Sequence, residues 1–315
     1  MLGSDGMPSV GERRKSVLHR REAWEGRLCI LPWLVGFVVF TAGPMLASAY
    51  FAFTKFDALS APEWIGLGNF VDMVTKDDLF WVSLYNTAYY TSLSIPLYLL
   101  IALCAAMALN VRYPSVSIFR TVFYLPSITP SVASAILWLM IFQPDYGLLN
   151  TFLTWIHLPT RQWLFDPQVA KLVFVIMGIW GIGNFMVIFL AGLQSIPEHL
   201  YEAAAIDGAG WWARLRHVTL PMLSPIIFFN LVIGIIGSFQ VFTAAYIITD
   251  GGPVNSTLFY VLYLWNNAFQ FFEMGYASAL AWVLFVVVLI FTFIQFKLAN
   301  RWVYYEGDLR SLEGT

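Results

Sequence analysis

The side chains of this 315-residue chain that are equipped for chemistry are few and scattered. His19, His157, His199 and His217 stand far apart in polar stretches or at the edges of apolar ones. Cys29 and Cys104 lie in apolar runs without CxxC spacing, so they read as small buried hydrophobes rather than ligands or a disulfide. No GxxxxGK[ST], HExxH or GxSxG pattern occurs. Carboxylates are nearly lacking within the apolar runs, which argues against a proton or ion relay. What remains is recognition chemistry. Asn184, Asn230 and Gln240 place amides inside apolar runs, with Phe239, Phe242 and Tyr246 beside them. Amides bond hydroxyls, and aromatic faces stack on flat apolar surfaces. The same amides equally suit hydrogen bonds between helices, and the same rings suit core or lipid packing. Gly178, Gly181, Gly183, Gly234 and Gly237 are spaced for close helix approach.

The elements that must position these residues lie in a membrane. Only 11% of residues are charged and 59% are hydrophobic, against about 25% charged in a soluble domain. Six runs are long enough to span as helices, roughly 28–53, 85–109, 118–142, 169–193, 222–248 and 275–297. They are continuous rather than alternating, which selects helices over barrel strands. The first run is too long for a cleavable leader, and no small-residue cleavage site follows it. Pro126 and Pro130 predict a kink or break in the third run. Short interfacial helices are expected at FVDMV and DDLFWVSL in the 54–84 connection, after QPDYGLLN, and near 17–26; TDGGP at 249–253 reads as a turn.

Basic residues set the orientation. Lys55, Lys76, Arg161 and Lys171 fall on one side, and the other 13 of the 17 Lys and Arg residues on the opposite side. That side, the cytoplasmic one, then holds the tail 1–27, the connection 194–221 and the tail 298–315, with the membrane body at 28–297. The basic cluster from Arg13 to Arg27 reads as a topology anchor, not a nucleic-acid site.

Residues 198–225 form a polar insert between two apolar runs. Pro197 suits the first turn of a helix. Glu198 and Glu202 follow near its N-terminal end, Ala203, Ala204 and Ala205 give it a smooth face, and Gly208 and Gly210 end it. Basic WWARLRHV follows, with Pro221 expected to begin the next span. The chain carries no energy source of its own, so uphill transport requires a partner.

EAAAIDGAGWWARLRHVTLP resembles the EAA motif of ABC importer permeases, with Glu202, Ala203, Ala204, Gly208, Leu220 and Pro221 at the motif positions. The carbohydrate-uptake branch is the nearest in pattern. LPWLVGFVVFTAGPMLASAYFAFTKFD, IGLGNFVDMV, FRTVFYLPSITPSVASAILWLMIFQPDYGLLN, ITDGGP and RWVYYEG resemble its successive segments in order. Leu215 departs from the family's frequent aromatic residue, and the short 54–84 connection departs from the maltose permease with its extra spans and large outer domain.

The resemblance implies an all-α, six-span, N-in/C-in subunit of the MetI-like type I importer fold in the bacterial inner membrane. It implies a coupling helix carrying Glu202, Ala203, Ala204, Asp207, Gly208 and Pro221. The implied partners are a second permease, two cytoplasmic ATPase subunits that hold ATP and Mg, and an extracytoplasmic solute-binding protein. No cofactor is expected on this chain. The expected solute is a sugar or oligosaccharide, passing Asn184, Asn230, Phe239, Gln240 and Tyr246. Alternatives are glycerol 3-phosphate or another small polar solute, or, in a different class, a passive channel or membrane enzyme. A phosphorylated solute would ask for a basic pathway group, and the spans offer little beyond Lys171.

Overall fold

A computed structural model describes residues 10–111 and 113–304. The segments 1–9 and 305–315 with Arg310, the residue Arg112, and the side chains of Arg13, Arg14, Lys15, Arg20 and Arg21 lie outside the described residues.

The chain is helical nearly throughout. Four helices are long and apolar enough to cross a membrane: Trp24–Phe51, Asp78–Ala108, Trp211–Ile248 and Met274–Ala299. Two bent pairs pass the same test together, Val116–Ile128 with Ser131–Phe142 and Ala170–Trp180 with Gly183–Ser195, and make six spans when each pair counts as one. One exception to an all-helical fold is a two-residue antiparallel pair, Thr54–Lys55 with Glu63–Trp64.

Proline explains the breaks. Pro126 and Pro130 fall where the third span turns through 98° across a short 3-10 stretch. A proline ring lacks the N–H for the helical bond and crowds the preceding turn. Elsewhere the helix absorbs the proline. Pro44 and Pro221 each follow a π-helical turn, Val38–Ala42 and Leu215–Thr219, where the chain closes a wider i→i+5 ring. The helix that starts at Trp211 therefore runs through Pro221 to Ser238, and Pro221 does not begin a new helix as expected. DDLFWVSL likewise belongs to the second span, which starts at Asp78 because the Asp77 carboxylate accepts from Phe80 N at 3.1 Å and caps it. The stretch near 17–26 is part of one helix from Val10 to Phe37. Short helices form at Gly68–Thr75 and Leu148–Trp155.

The second span is the hub, packed against both halves of the fourth, the fifth, and a short helix at Tyr260–Trp265. Glycine permits these contacts. A Cβ on Gly178 would fall 1.9 Å from Tyr98 Oη, which donates to Val175 O at 2.9 Å. Gly192 and Gly234 face Ile226 and Ile95 in the same way, whereas Gly237 has open space around it and Gly181 meets only its own turn. The first span buries none of its apolar window within the chain, and Trp282 Nε1 donates to Ser48 Oγ at 3.2 Å near its end. Cys29 and Cys104 are free and exposed, not buried. In a membrane an apolar exterior suits a thiol as well as a core does, so hydrophobic surroundings in sequence did not mean burial.

Candidate functional site

The connection between the fourth and fifth spans is a rigid helical hairpin. Pro197 caps its first helix, Glu198–Ile206, from just outside rather than from the first turn. The helix ends where Gly208 takes φ +74°. Gly208 N donates to Ala205 O at 3.1 Å and Ala209 N to Ala204 O at 2.9 Å, a Schellman closure that a left-handed residue makes possible. Two clamps fix the return arm. Arg214 Nε donates to Ala209 O at 2.8 Å, and the Tyr201 and Thr219 hydroxyls bond at 3.0 Å.

Glu202, Ala203, Asp207 and Gly208 are exposed on this hairpin, while Ala204 and Pro221 are half-buried. Around them stand side chains that water does not favour: Ile206 is 87% exposed, Trp211 62% and Trp212 74%. The two indoles meet edge to face at 4.7 Å. A polar hairpin that holds three large apolar side chains outward presents a surface of interface composition. Beside it a cavity of about 590 Å³ is lined by Asn110, Arg120, Gln194, Glu198 and Tyr201 among others. Arg120 Nη2 donates to Leu109 O at 2.8 Å and so closes the C-terminal end of the second span.

The opposite end of that 31-residue span borders a second cleft of about 600 Å³. Asp77 organises it. Its Oδ2 accepts from Tyr263 at 2.5 Å and from the Tyr276 hydroxyl, while its Oδ1 caps the helix. Burial, then the bond to Asp77, pushes the Tyr263 hydroxyl above its ordinary range. Asp57, at the rim, is held at about 2 by the Ser60 backbone N–H, the Ser60 hydroxyl and the Leu59 N–H. It is therefore ionised at any physiological pH. Among the described residues no group of three or more His, Cys, Asp or Glu is arranged to hold a metal ion.

The pathway residues expected from sequence stand in different settings. Asn184 is exposed just past the bend of the fourth span. Phe239 is buried on Phe291 of the sixth span at 5.4 Å between ring centroids. Gln240 is exposed where the fifth span loosens at Phe239–Phe242, and Tyr246 stacks on Phe242 a turn further on. Asn230 is fully buried, and neither its Nδ2 nor its Oδ1 has a hydrogen-bond partner among the described residues. An unpaired buried amide costs about 1–3 kcal/mol. Asn230→Leu is therefore expected to raise the thermal unfolding midpoint of the purified protein by a few degrees; an unchanged or lower midpoint counts against this account of the site. Lys171 Nζ donates to Asn86 Oδ1 at 3.1 Å and lies about 5 Å from the ring centroids of Tyr85 and Tyr89. Sequence reasoning missed the Asp77 cluster, because its tyrosines lie 186 and 199 residues away.

Comparison with known proteins identifies the framework. Residues 98–304 match the model of the family described as binding-protein-dependent transport system inner membrane component. The chain belongs to this family. It is a permease, a multi-pass component of the inner membrane. It is 45% identical over 298 residues to a probable ABC transporter permease, YesP of Bacillus subtilis (strain 168), covering 93% of this chain and 96% of that one. It is 33% identical to the trehalose/maltose transport system permease protein MalF of Thermococcus litoralis, covering 90% of this chain and 97% of that one. The lactose transport system permease protein LacF of Rhizobium radiobacter is 34% identical, at 91% and 98% coverage. The fold matches a chain of a solved bacterial ABC transporter that imports the acidic polysaccharide alginate, with a TM-score of 0.81, 24% identity, and coverage of 91% of the permease and 99% of that chain.

Proposed function

We propose that this permease, with a second membrane chain and two ATP-hydrolysing cytoplasmic subunits, forms the path for a sugar or oligosaccharide delivered by an external binding protein. The observation that carries the sugar reading is the near-full-length similarity to permeases named for trehalose and maltose and for lactose. The hairpin at 194–221 is the part that answers to the ATPase. Its Schellman-closed helix is stiff, its outer face is smooth at Ala203, and Ile206, Trp211 and Trp212 stand outward as anchors. Glu202, Ala203, Ala204, Asp207 and Gly208 make the docking surface, and Pro221 sits in the helix that carries motion onward. Because that helix continues from Trp211 to Ser238, displacement of the hairpin moves the fifth span as a lever without an intervening joint.

At the far end, the cleft around Asp77 is the natural seat for the binding protein, since it joins the 54–77 connection to the start of the sixth span. The exposed flanks of the first span leave room for the second permease. Lys171 is engaged by Asn86 and two tyrosine rings, which favours a neutral sugar over a phosphorylated solute.

The test is uptake by the assembled transporter in proteoliposomes, with its binding protein and a panel of maltose, lactose and arabinotriose. Uptake that requires both ATP and the binding protein is expected. A purified chain that conducts sugar down a gradient by itself would overturn the proposal.

A further inference from the structure

Where the fifth span loosens, four aromatic rings from two separate elements meet in one series, one pair stacked and the others tilted or edge to face. Phe242 and Tyr246 lie 5.5 Å apart between centroids, Tyr246 and Trp265 4.7 Å, and Trp265 and Phe269 5.9 Å. Phe242 also reaches Trp265 at 5.7 Å. The first pair belongs to the loosened end of the fifth span and the second to the helix Tyr260–Trp265 and the π-helical turn Asn266–Gln270 that follows it. The i, i+4 spacing of Trp265 and Phe269 places them one turn apart.

The series is open rather than buried. Tyr246 is 40% exposed and Phe269 56%, and Phe242 and Trp265 are half-buried. Gln240, two residues before Phe242, is exposed, and its side chain makes no hydrogen bond within the described residues. The 19 residues from Leu220 to Ser238 rise about 28 Å as helix, close to the ~30 Å of a hydrocarbon layer. The loosened turn therefore falls within the Trp211–Ile248 span, toward its end remote from the 194–221 hairpin. Unwound backbone at that depth is kept where it lines protein or water, not lipid. Aromatic residues of a lipid belt need only reach the interface one by one; a continuous series of rings beside an exposed amide serves a ligand that is apolar on its faces and hydroxylated on its edges.

We infer that Phe242, Tyr246, Trp265 and Phe269, with Gln240, form a stacking track for successive sugar rings of an oligosaccharide at the entrance to the path. The inference rests on the sugar reading above and deepens it: a track of several rings favours a chain of sugars over a monosaccharide. Trp265 is its centre, because it touches three of the other rings.

The test uses the full transporter with its binding protein, maltose and maltotriose as probes, and the variants Trp265→Ala, Trp265→Phe, Phe269→Ala and, as an exposed control on the sixth span, Phe293→Ala. Loss of one stacking partner is expected to raise the KM of maltotriose uptake about five- to tenfold, with a smaller rise for maltose. Trp265→Phe should recover most of the loss, and Phe293→Ala should match the natural protein. ATP hydrolysis without sugar should be unchanged in all. Unchanged KM in Trp265→Ala and Phe269→Ala overturns the track. So does equal loss of sugar-free ATP hydrolysis and of subunit assembly, which would make the rings a seat for the second permease. If the natural protein takes up neither probe nor the wider sugar panel, the sugar reading itself fails, and the track with it.

Discussion

Gly208→Val is expected to leave the protein in the membrane, paired with its second permease, yet to cut ATP-driven uptake and ATPase capture by about tenfold or more. Nothing lies within 4 Å of a Cβ built on Gly208, so the cost is not one of space. It comes from φ +74°, a left-handed backbone that a β-branched residue avoids at roughly 1–2 kcal/mol. Valine therefore opens the Schellman closure, frees the carbonyls of Ala204 and Ala205, and lets Ile206 and the two tryptophans drift from their positions. Gly208→Asn should be much milder, because asparagine tolerates that conformation. Glu202→Lys provides the matching test of the exposed face, since it reverses charge without touching the closure. The measurements are uptake and co-purification of the ATPase subunit. Full activity of Gly208→Val would mean that the geometry of the hairpin tip is irrelevant to its function.

The second large effect is expected at Gly183, where the bends of the third and fourth spans meet. A Cβ there would lie 2.7 Å from Phe123 O and 2.9 Å from both Tyr124 Cα and Ser127 Oγ. Two of these three are backbone atoms, so no rotamer change relieves the clash. Gly183→Ala should destabilise the protein by about 1–3 kcal/mol and Gly183→Val by more. Gly237→Ala serves as the control: its Cβ meets nothing within 4 Å, and alanine in a helix is worth about 0.5–1 kcal/mol over glycine. Thermal retention of the monodisperse complex on size exclusion reads both. The account of the bends is wrong if Gly183→Ala is as stable as the natural protein.

The broad architecture was legible because a bilayer leaves few options. Apolar runs of sufficient length gave the spans, and Pro126 with Pro130 marked the sharp bend. The ends were harder. DDLFWVSL is apolar enough to lie on an interface, yet Asp77 supplies a cap that recruits it into the second span. Pro221 looks like a start signal, but a π-helical turn lets the helix run through it without a break. Glycine spacing signalled close approach at Gly178, Gly183 and Gly234 but could not separate these from Gly237, since the difference lies in what stands opposite.

Sites built from distant segments were the least legible. Tyr263 and Tyr276 reach Asp77 only after the chain has crossed the membrane several times. Trp265 and Phe269 carried a helical spacing in sequence, but among 55 aromatic residues (13 Trp, 15 Tyr and 27 Phe) that spacing stands out only when Tyr246 is seen beside it. Asn230 shows the reverse case. Its position deep in a span suited a hydrogen bond between helices, and among the described residues it has none.

The most direct measurement is a cross-link from the exposed face of the hairpin. Cys29 and Cys104 are replaced by serine, Ala203 by cysteine, and the assembled transporter is treated with a short thiol-reactive photo-cross-linker. The account predicts a covalent adduct between position 203 and the ATPase subunit whose yield changes when ATP is bound. An assembled, ATP-dependent transporter that gives no such adduct would contradict it.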